Sequence, residues 1–551
     1  TASAAPTASD LVQGELAVNV TDKRLYTENA SGAIVELGTN PLGAVTMAST
    51  LGVTGVLTAT SLDISGDIDV DGTTNLDVVD IDGAVNFAAD VTFADGADII
   101  TATAGTSNFR AGVNAGNSIA SGGNYNTVVG DNAGTAITTG DINTFIGMDS
   151  GKATTTASNN TAVGAGALLL NTTGGSNVAV GNYSLDANTT ADNNTAVGYA
   201  SLGANTTGIN NTTTGAYALF SNTTASYNTA HGYNALFANT TGASNVAVGT
   251  YALDANTTAS NNTAVGYTSL SANTTGTSNT AIGRNALGAN TTANNNTAVG
   301  FNSLQSNITG SENVAVGRSA LAVNTTGDNN IALGFNALGA NTTANNNIAL
   351  GTYALDNNIT GSENLAIGSS TLTNNTASNN IALGYSALIA NTTGGKNVAV
   401  GNYALDANTT ASNNTAVGHG SLSANTTGAD NVAVGMSTLQ LCTTAPRATA
   451  IGNGALANLT TGHSNVGVGY NAGVHVTTLT TGHSNVLIGS YCRTSAVDAN
   501  AANVFGYDVS GEGGYTTVGN ATSDIRAAHG TATWAAVSDQ RYKKDIVDST
   551  A

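Results

Sequence analysis

Three prolines, two cysteines and one tryptophan are spread over 551 residues, and charged residues make up only 9% of the chain. Two cysteines, Cys442 and Cys492, allow one pair at most, so no disulfide framework exists and the redox compartment is not legible from them. Lys and Arg number 13 against 34 Asp and Glu, a formal charge of −21. Apart from Arg541, Lys543 and Lys544 the bases are scattered, which argues against nucleic acid or anionic lipid as a partner. The acidity reads as a solvating surface. No run approaches 18 apolar residues, so no membrane insertion is expected. No signal peptide opens the chain, and Thr1 is not an initiator methionine, so the natural start is expected upstream or trimmed. The length could hold three or four ordinary domains, but large side chains are too sparse to fill wide layered cores. A thin, repetitive cross-section needs far less apolar volume.

What the chain does have is glycine, 67 residues of it, with abundant Asn and Thr. The phrase "NNTAVGYTSLSANTTGTSN" (261–279) recurs along most of the sequence. Its marker glycine advances in steps of 17 from Gly130 to Gly368, through Gly198, Gly232, Gly266, Gly300 and Gly334. One step of 16 leads to Gly384, the 17-residue beat resumes to Gly469, and Gly489 follows a longer insert. That gives about 22 copies. Several Asn and Thr and one or two Gly per copy disfavour helix. Short alternating runs between Gly- and Asn-rich corners read as strands and turns. Gly recurring at one place marks a corner of positive φ or close backbone approach, and the Asn before each strand suits a tight turn.

The reading is an all-β fold: a β-solenoid or β-roll of stacked 17-residue coils, roughly 4.8 Å apart and about 100 Å long. The aliphatic of "AVG" and the following Leu (Val265 with Leu270, Val299 with Leu304) are expected to fill the coil interior. Ala264 and Ala298 should then face outward, where another backbone could approach. Asn273, Thr274 and Thr275 are expected to form ladders along the stack. So little apolar burial per coil, set against the entropy of ordering it, calls for neighbouring coils and for partner chains. Aromatics alternate between the first place after the glycine (Tyr199, Tyr233, Tyr267, Phe301, Phe335) and the second (Tyr183, Tyr217, Tyr251, Tyr353), which implies a duplicated unit of 34 residues, two coils. Such a row could stack on sugar rings or cover an edge or a seam between chains; the second reading is the plainer one.

The ends differ from the middle. Residues 1–41 read as a small β module of three strands around an Asp-Lys and a Ser-Gly turn. Residues 42–108 read as an acidic β shaft, 109–490 as the repeats and 491–537 as a distal β region. "DIDVDG" (Asp67, Asp69, Asp71, Gly72) opens like a calcium loop, but Val78 stands where a bidentate Glu belongs. The six His show no paired metal motif, and no phosphate-binding Gly loop appears. No metal or cofactor is expected.

Three stretches share one resemblance. The "NTAVG…AL…NTTG" units resemble the trimeric repeats of YadA-like adhesin heads, which also occur in bacteriophage fibres. "GELAVNVTDKRLYTENASGAIVELG" resembles the N-terminal motif of phage tail-fibre proteins, and "GDIDVDGTTNLDVVDIDGAV" is similar to fibre shafts of marine phages. "GYTTVGNATSDIRAAHGTATWAAVSDQRYKKDI" resembles the junction before the intramolecular chaperone of the peptidase S74 family, with 538–551 the start of that domain. The resemblance implies a homotrimeric tail fibre in the virion, extracellular. Tail or baseplate proteins would meet its N-terminus, and a cell-surface receptor, glycan among the options, its distal end. It further implies a self-cleaving dyad of Ser538 and Lys543, with Asp539 next to the cleavage point; a Lys of lowered pKa would activate the Ser hydroxyl. Tyr542 departs from the family's usual Leu. No substrate-directed activity is expected. The rival readings are a trimeric autotransporter-type bacterial adhesin and a tailspike depolymerase.

Overall fold

A computed structural model describes residues 5, 7, 9, 12–19, 24–38, 103–531 and 535–536. They belong to two separate units, one ending at Ala94 and the other beginning at Asp95. In the first, Leu16–Asn19, Arg24–Glu28 and Ile34–Gly38 form a three-stranded antiparallel sheet in sequence order. Its second turn is tied by Asn29, whose side-chain oxygen accepts from the Ser31 and Ala33 amides, while Gly32 takes φ +76°. The Asp-Lys turn, and the calcium-like Asp67, Asp69 and Asp71, lie outside the described residues.

The second unit is all-β and contains no helix among its described residues. A three-residue strand recurs in every coil and pairs in parallel, in register, with the strand of the next coil. The ladder runs unbroken from Phe109–Ala111 to Tyr515–Asn520, a parallel β-solenoid of about 24 turns. It therefore begins one coil before Gly130, at Gly112, and continues past Gly489 through Gly506. An antiparallel strand, Ser523–Ala528, pairs with the last parallel one. Backbone bonds run coil to coil: the Thr263 amide donates to the Asn279 carbonyl and the Leu270 amide to that of Ala286, at 2.8 and 2.9 Å.

The repeat glycines turn the corner after each strand. Gly266 has φ +134°, and a Cβ there would lie 2.7 Å from the backbone carbonyl of Gly283 one coil on. Both the left-handed conformation and the contact exclude a side chain. Gly198, Gly232, Gly300 and Gly334 repeat this geometry at φ +134° to +140°. Each coil also holds non-glycine residues at positive φ, and the leucine is the unexpected one (Leu270 +53°, Leu287 +51°). A left-handed leucine is strained by roughly 1–2 kcal/mol. Full burial of its side chain returns about as much or more.

The interior is assigned differently from the sequence expectation. Ala264 and Ala298, not Val265 and Val299, face inward with the leucines; both alanines are wholly buried and both valines only half-buried. The reason is width. Where glycine replaces the inward alanine at Gly467, a Cβ would sit 2.6 Å from Leu456 Cγ, so opposite a leucine there is little room beyond a methyl group. Thr213 fits between Leu202 and Leu219 with its hydroxyl 2.7 Å from Ser201 Oγ, and bulkier residues enter by exchange. Phe145 occupies the alanine place, and the same coil carries Gly151 where leucine usually stands, its missing Cβ replaced by the Phe145 ring. Val128 and Gly134 make the same trade. In the first coil the inward place belongs to Arg110, whose Nε donates to the Ala115 carbonyl; a polar group thus closes the end of the core.

Two columns of buried asparagine complete the interior. Asn273 Nδ2 donates to Asn256 Oδ1 at 3.0 Å and to the Gly276 carbonyl at 2.9 Å, as expected of a ladder. Thr274 Oγ1 donates to the Thr291 carbonyl at 3.1 Å, whereas Thr275 is exposed and contributes no side-chain rung. The second column is the Asn before each strand. Asn262 accepts from the Asn279 amide at 2.9 Å and donates to the Gly276 carbonyl. The positive-φ turn belongs to its predecessor, Asn261 (+64°).

Candidate functional site

The outer face of the ladder is the mirror of the interior. On either side of the buried alanine the strands present Thr, Val, Ile or Leu. In the strand Ile331–Leu333, Ala332 is fully buried while Ile331 and Leu333 are 39% and 47% exposed. Ile282, Val314, Ile367, Ile381 and Val434 continue this row. A half-exposed apolar band therefore follows the solenoid, interrupted at Thr214 and His231.

The aromatics form a second surface. Tyr183, Tyr199, Tyr217, Tyr233, Tyr251 and Tyr267 meet edge to face in one continuous row, centroids 5.3–6.5 Å apart. Alternation between the two places after the glycine is what lets the rings dovetail: each ring turns its edge to a neighbour's face, the geometry that the aromatic quadrupole favours. The row lies outside the core. Phe220 and Phe237 stack beside it at 5.6 Å. Shorter stretches recur at Tyr385, Tyr403 and His419.

A third surface gathers where the period breaks. The step from Gly469 to Gly489 is 20 residues, and the extra length emerges as a loop after Gly473. The Leu479 amide closes it on the Gly473 carbonyl at 3.0 Å, and Leu479 itself returns to the core. Val476 stands at the tip, 80% exposed. The loop places His475 beside the Tyr491 ring, 4.9 Å between centroids, with Nδ1 3.2 Å from Asp508 Oδ1. At the place of the inward leucine the next coil carries Arg493, whose guanidinium pairs with the same Asp508 oxygen. Tyr470 and Tyr507 flank Tyr491 edge to face at 5.3 and 6.1 Å, repeating the dovetail of the middle coils. No single residue announces this cluster in the sequence; the long step between glycines was its signal.

The remaining titratable groups are dispersed. Asp186, Asp254, Asp356 and Asp406 share one place in the coil, and burial raises the pKa of each. They occupy non-adjacent coils, so no two of these carboxylates face each other. His463 and His483 stack face to face at 4.6 Å, each with Nδ1 3.3 Å from the following serine hydroxyl. Burial pushes the Cys442 thiol up to about 11, and Cys492 is raised as well; both are free. Among the described residues no three His, Cys, Asp or Glu converge on a metal-sized site. Ser538, Asp539 and Lys543 lie outside the described residues. No protein-family model, curated protein or solved structure matches the chain.

Proposed function

We propose that the chain is one strand of a homotrimeric phage tail fibre, a structural spacer that also attaches to the host. The observation that supports this reading is the apolar outer face of the ladder. Contiguous apolar surface of that extent is uncommon on a monomer. Its partner must present matching rungs at the same spacing over about 24 coils, roughly 115 Å. Another copy of this chain does so by construction, and the threefold closure follows the resemblance of the repeats. Three copies also multiply every receptor contact without new chemistry. The N-terminal module then faces the tail or baseplate, the distal coils face the cell, and the setting is the virion, outside any cell. This reading involves no substrate-directed activity; the rival tailspike depolymerase would need carboxylates in pairs, and acids are few in the repeats.

Sedimentation equilibrium tests the assembly. Three times the chain mass of 54.2 kDa is expected, and a paired Leu333→Asp, Leu350→Asp change on the outer face should reduce or abolish it. A wild-type mass of one chain would remove the proposal. The resemblance at "SDQRYKKDI" adds self-cleavage by Ser538 and Lys543. In a gene that continues through the chaperone, Ser538→Ala should leave one long product on a denaturing gel, and an unchanged pair of fragments would contradict the dyad.

A further inference from the structure

The enlarged coil and the two after it carry three features that occur together nowhere else among the described residues: an exposed aromatic row, a loop held out beside it, and a charged trio joined by hydrogen bonds. In the middle coils the same tyrosine dovetail runs from Tyr183 to Tyr267 with Arg284 over its last ring but with no hydrogen-bonded charged trio, so the aromatics alone need no such trio to pack. Nor does the loop need it, since the Leu479 amide and the buried Leu479 side chain already close it.

The trio leaves atoms unspent. Arg493 and His475 Nδ1 both address Oδ1 of Asp508. Arg493 Nη1 also lies 3.5 Å from His475 Nδ1, so that nitrogen is taken up within the trio, and Nε2, a donor or an acceptor according to the tautomer, is left over. Neither Nε2 nor Asp508 Oδ2 has a hydrogen-bond partner among the described residues. Two unpartnered polar atoms thus belong to side chains beside the tyrosine row, in which Tyr470 and Tyr507 are 47% and 54% exposed. A carboxylate oxygen and an imidazole nitrogen suit a pair of neighbouring hydroxyl groups, which both donate and accept, and an aromatic face suits the C–H face of a pyranose ring. Arg493 is neutralised by Asp508 in a chain of net charge −21, which disfavours an anionic sugar.

We propose that Tyr470, Tyr491 and Tyr507, with His475 and Asp508, form a binding site for a neutral, hexose-containing glycan, its ring on the tyrosines and its vicinal hydroxyls on Asp508 and His475. Arg493 is a positioning residue that holds the carboxylate. This rests on the attachment reading above, as the identity of what is attached to.

The test is binding of the intact purified protein to a printed array of defined oligosaccharides and bacterial surface polysaccharides. At least one neutral hexose glycan should be retained. Tyr507→Ala and, separately, Asp508→Asn should weaken that binding about tenfold or more, with unfolding midpoint and sedimentation mass unchanged. Tyr507→Phe keeps the ring and should bind as the parent does, which guards against a misfolded alanine variant. Tyr251→Ala, in the middle row, should have no effect. Retention of no glycan above the Tyr507→Ala background, or equal loss in Tyr251→Ala, overturns the site. Host-cell binding that survives periodate oxidation of surface sugars but not protease points to a protein receptor and also overturns it. A trimer that binds no glycan sinks this proposal alone; a monomer that binds one sinks the fibre reading alone.

Discussion

From Asn171 to Asn425 one interior column is asparagine in every coil, and beyond it Cys442, Leu459 and Leu479 fill the same column. At the other end Ile119 and Ile137 do so. Both fillings support the same backbone, but they do different things. A buried amide takes its side-chain partners from the same column of the coils above and below, so the asparagine stretch favours uniformity; its one 16-residue step keeps the ladder, with Asn391 Nδ2 donating to Asn375 Oδ1 at 2.7 Å. The apolar stretches lack that demand in this column, while the column before each strand still joins Asn485 to Asn465 at 3.0 Å across the 20-residue step. The 20-residue step, the loop and the His475–Asp508–Arg493 trio all occur in the apolar stretch. The regular region extends, and the relaxed region is free to vary.

Substitutions can break or sharpen that contrast. The largest effect is expected at the corner glycine. Gly266→Ala forces a methyl group to 2.7 Å from a backbone carbonyl at φ +134°, and should destabilise by about 4 kcal/mol or more. Gly420→Ala, also at positive φ but with nothing within 4 Å, should lose only about 1–2. Thermal melts of the two variants should separate clearly; equal melting temperatures would mean the close approach is not what the glycine serves.

Exchanging the two fillings comes next. Asn273→Leu strips Asn256 Oδ1 of its donor and leaves Asn290 Nδ2 only its bond to the Ala293 carbonyl, at about 2–4 kcal/mol for the two lost ladder bonds. Leu459→Asn inserts an amide between Cys442 and Leu479, with no ladder partner on either side, at about 2 kcal/mol. Chemical denaturation measures both, and a neutral Asn273→Leu would show that the amide ladder is dispensable.

The smallest effect tests the buried acids. Burial raises Asp254 above its ordinary 3.8, so the folded chain holds that proton more tightly than the unfolded one. The ionised form therefore weakens the fold at neutral pH, and the penalty disappears as pH falls through the folded value to below 3.8. Because Asp254 is only half-buried, Asp254→Asn should stabilise by no more than about 0.5 kcal/mol at pH 7. Near pH 3 it should do nothing. Melting temperatures at the two pH values check the sign.

Much of this molecule was legible as periodicity. Glycine spacing fixes the coil, and the Asn273 column follows from repetition at one phase. Alternation within "TAV" shows that Ala264 and Val265 face opposite ways, but not which of them faces in. That depends on the width left by Leu270, which only the assembled coil reveals. The left-handed leucines were hidden for a related reason, since local propensity disfavours them and burial overrides it. The exchange of Phe145 for Gly151 is readable once the width is known. The trio at the enlarged coil was visible only as an interruption of the beat, because its members lie 15 to 33 residues apart in sequence.

The carbonyl packed against each corner glycine has an evolutionary corollary. Point changes at that position are closed, yet removing or adding one whole period preserves the glycine, alanine, leucine and asparagine columns, and a pair of periods preserves the aromatic alternation as well. Recombination between the near-identical gene segments that encode the coils can therefore lengthen or shorten the molecule in increments of about 4.8 Å, or twice that for the 34-residue pair. Reach becomes a heritable copy number, adjustable without redesigning a single contact.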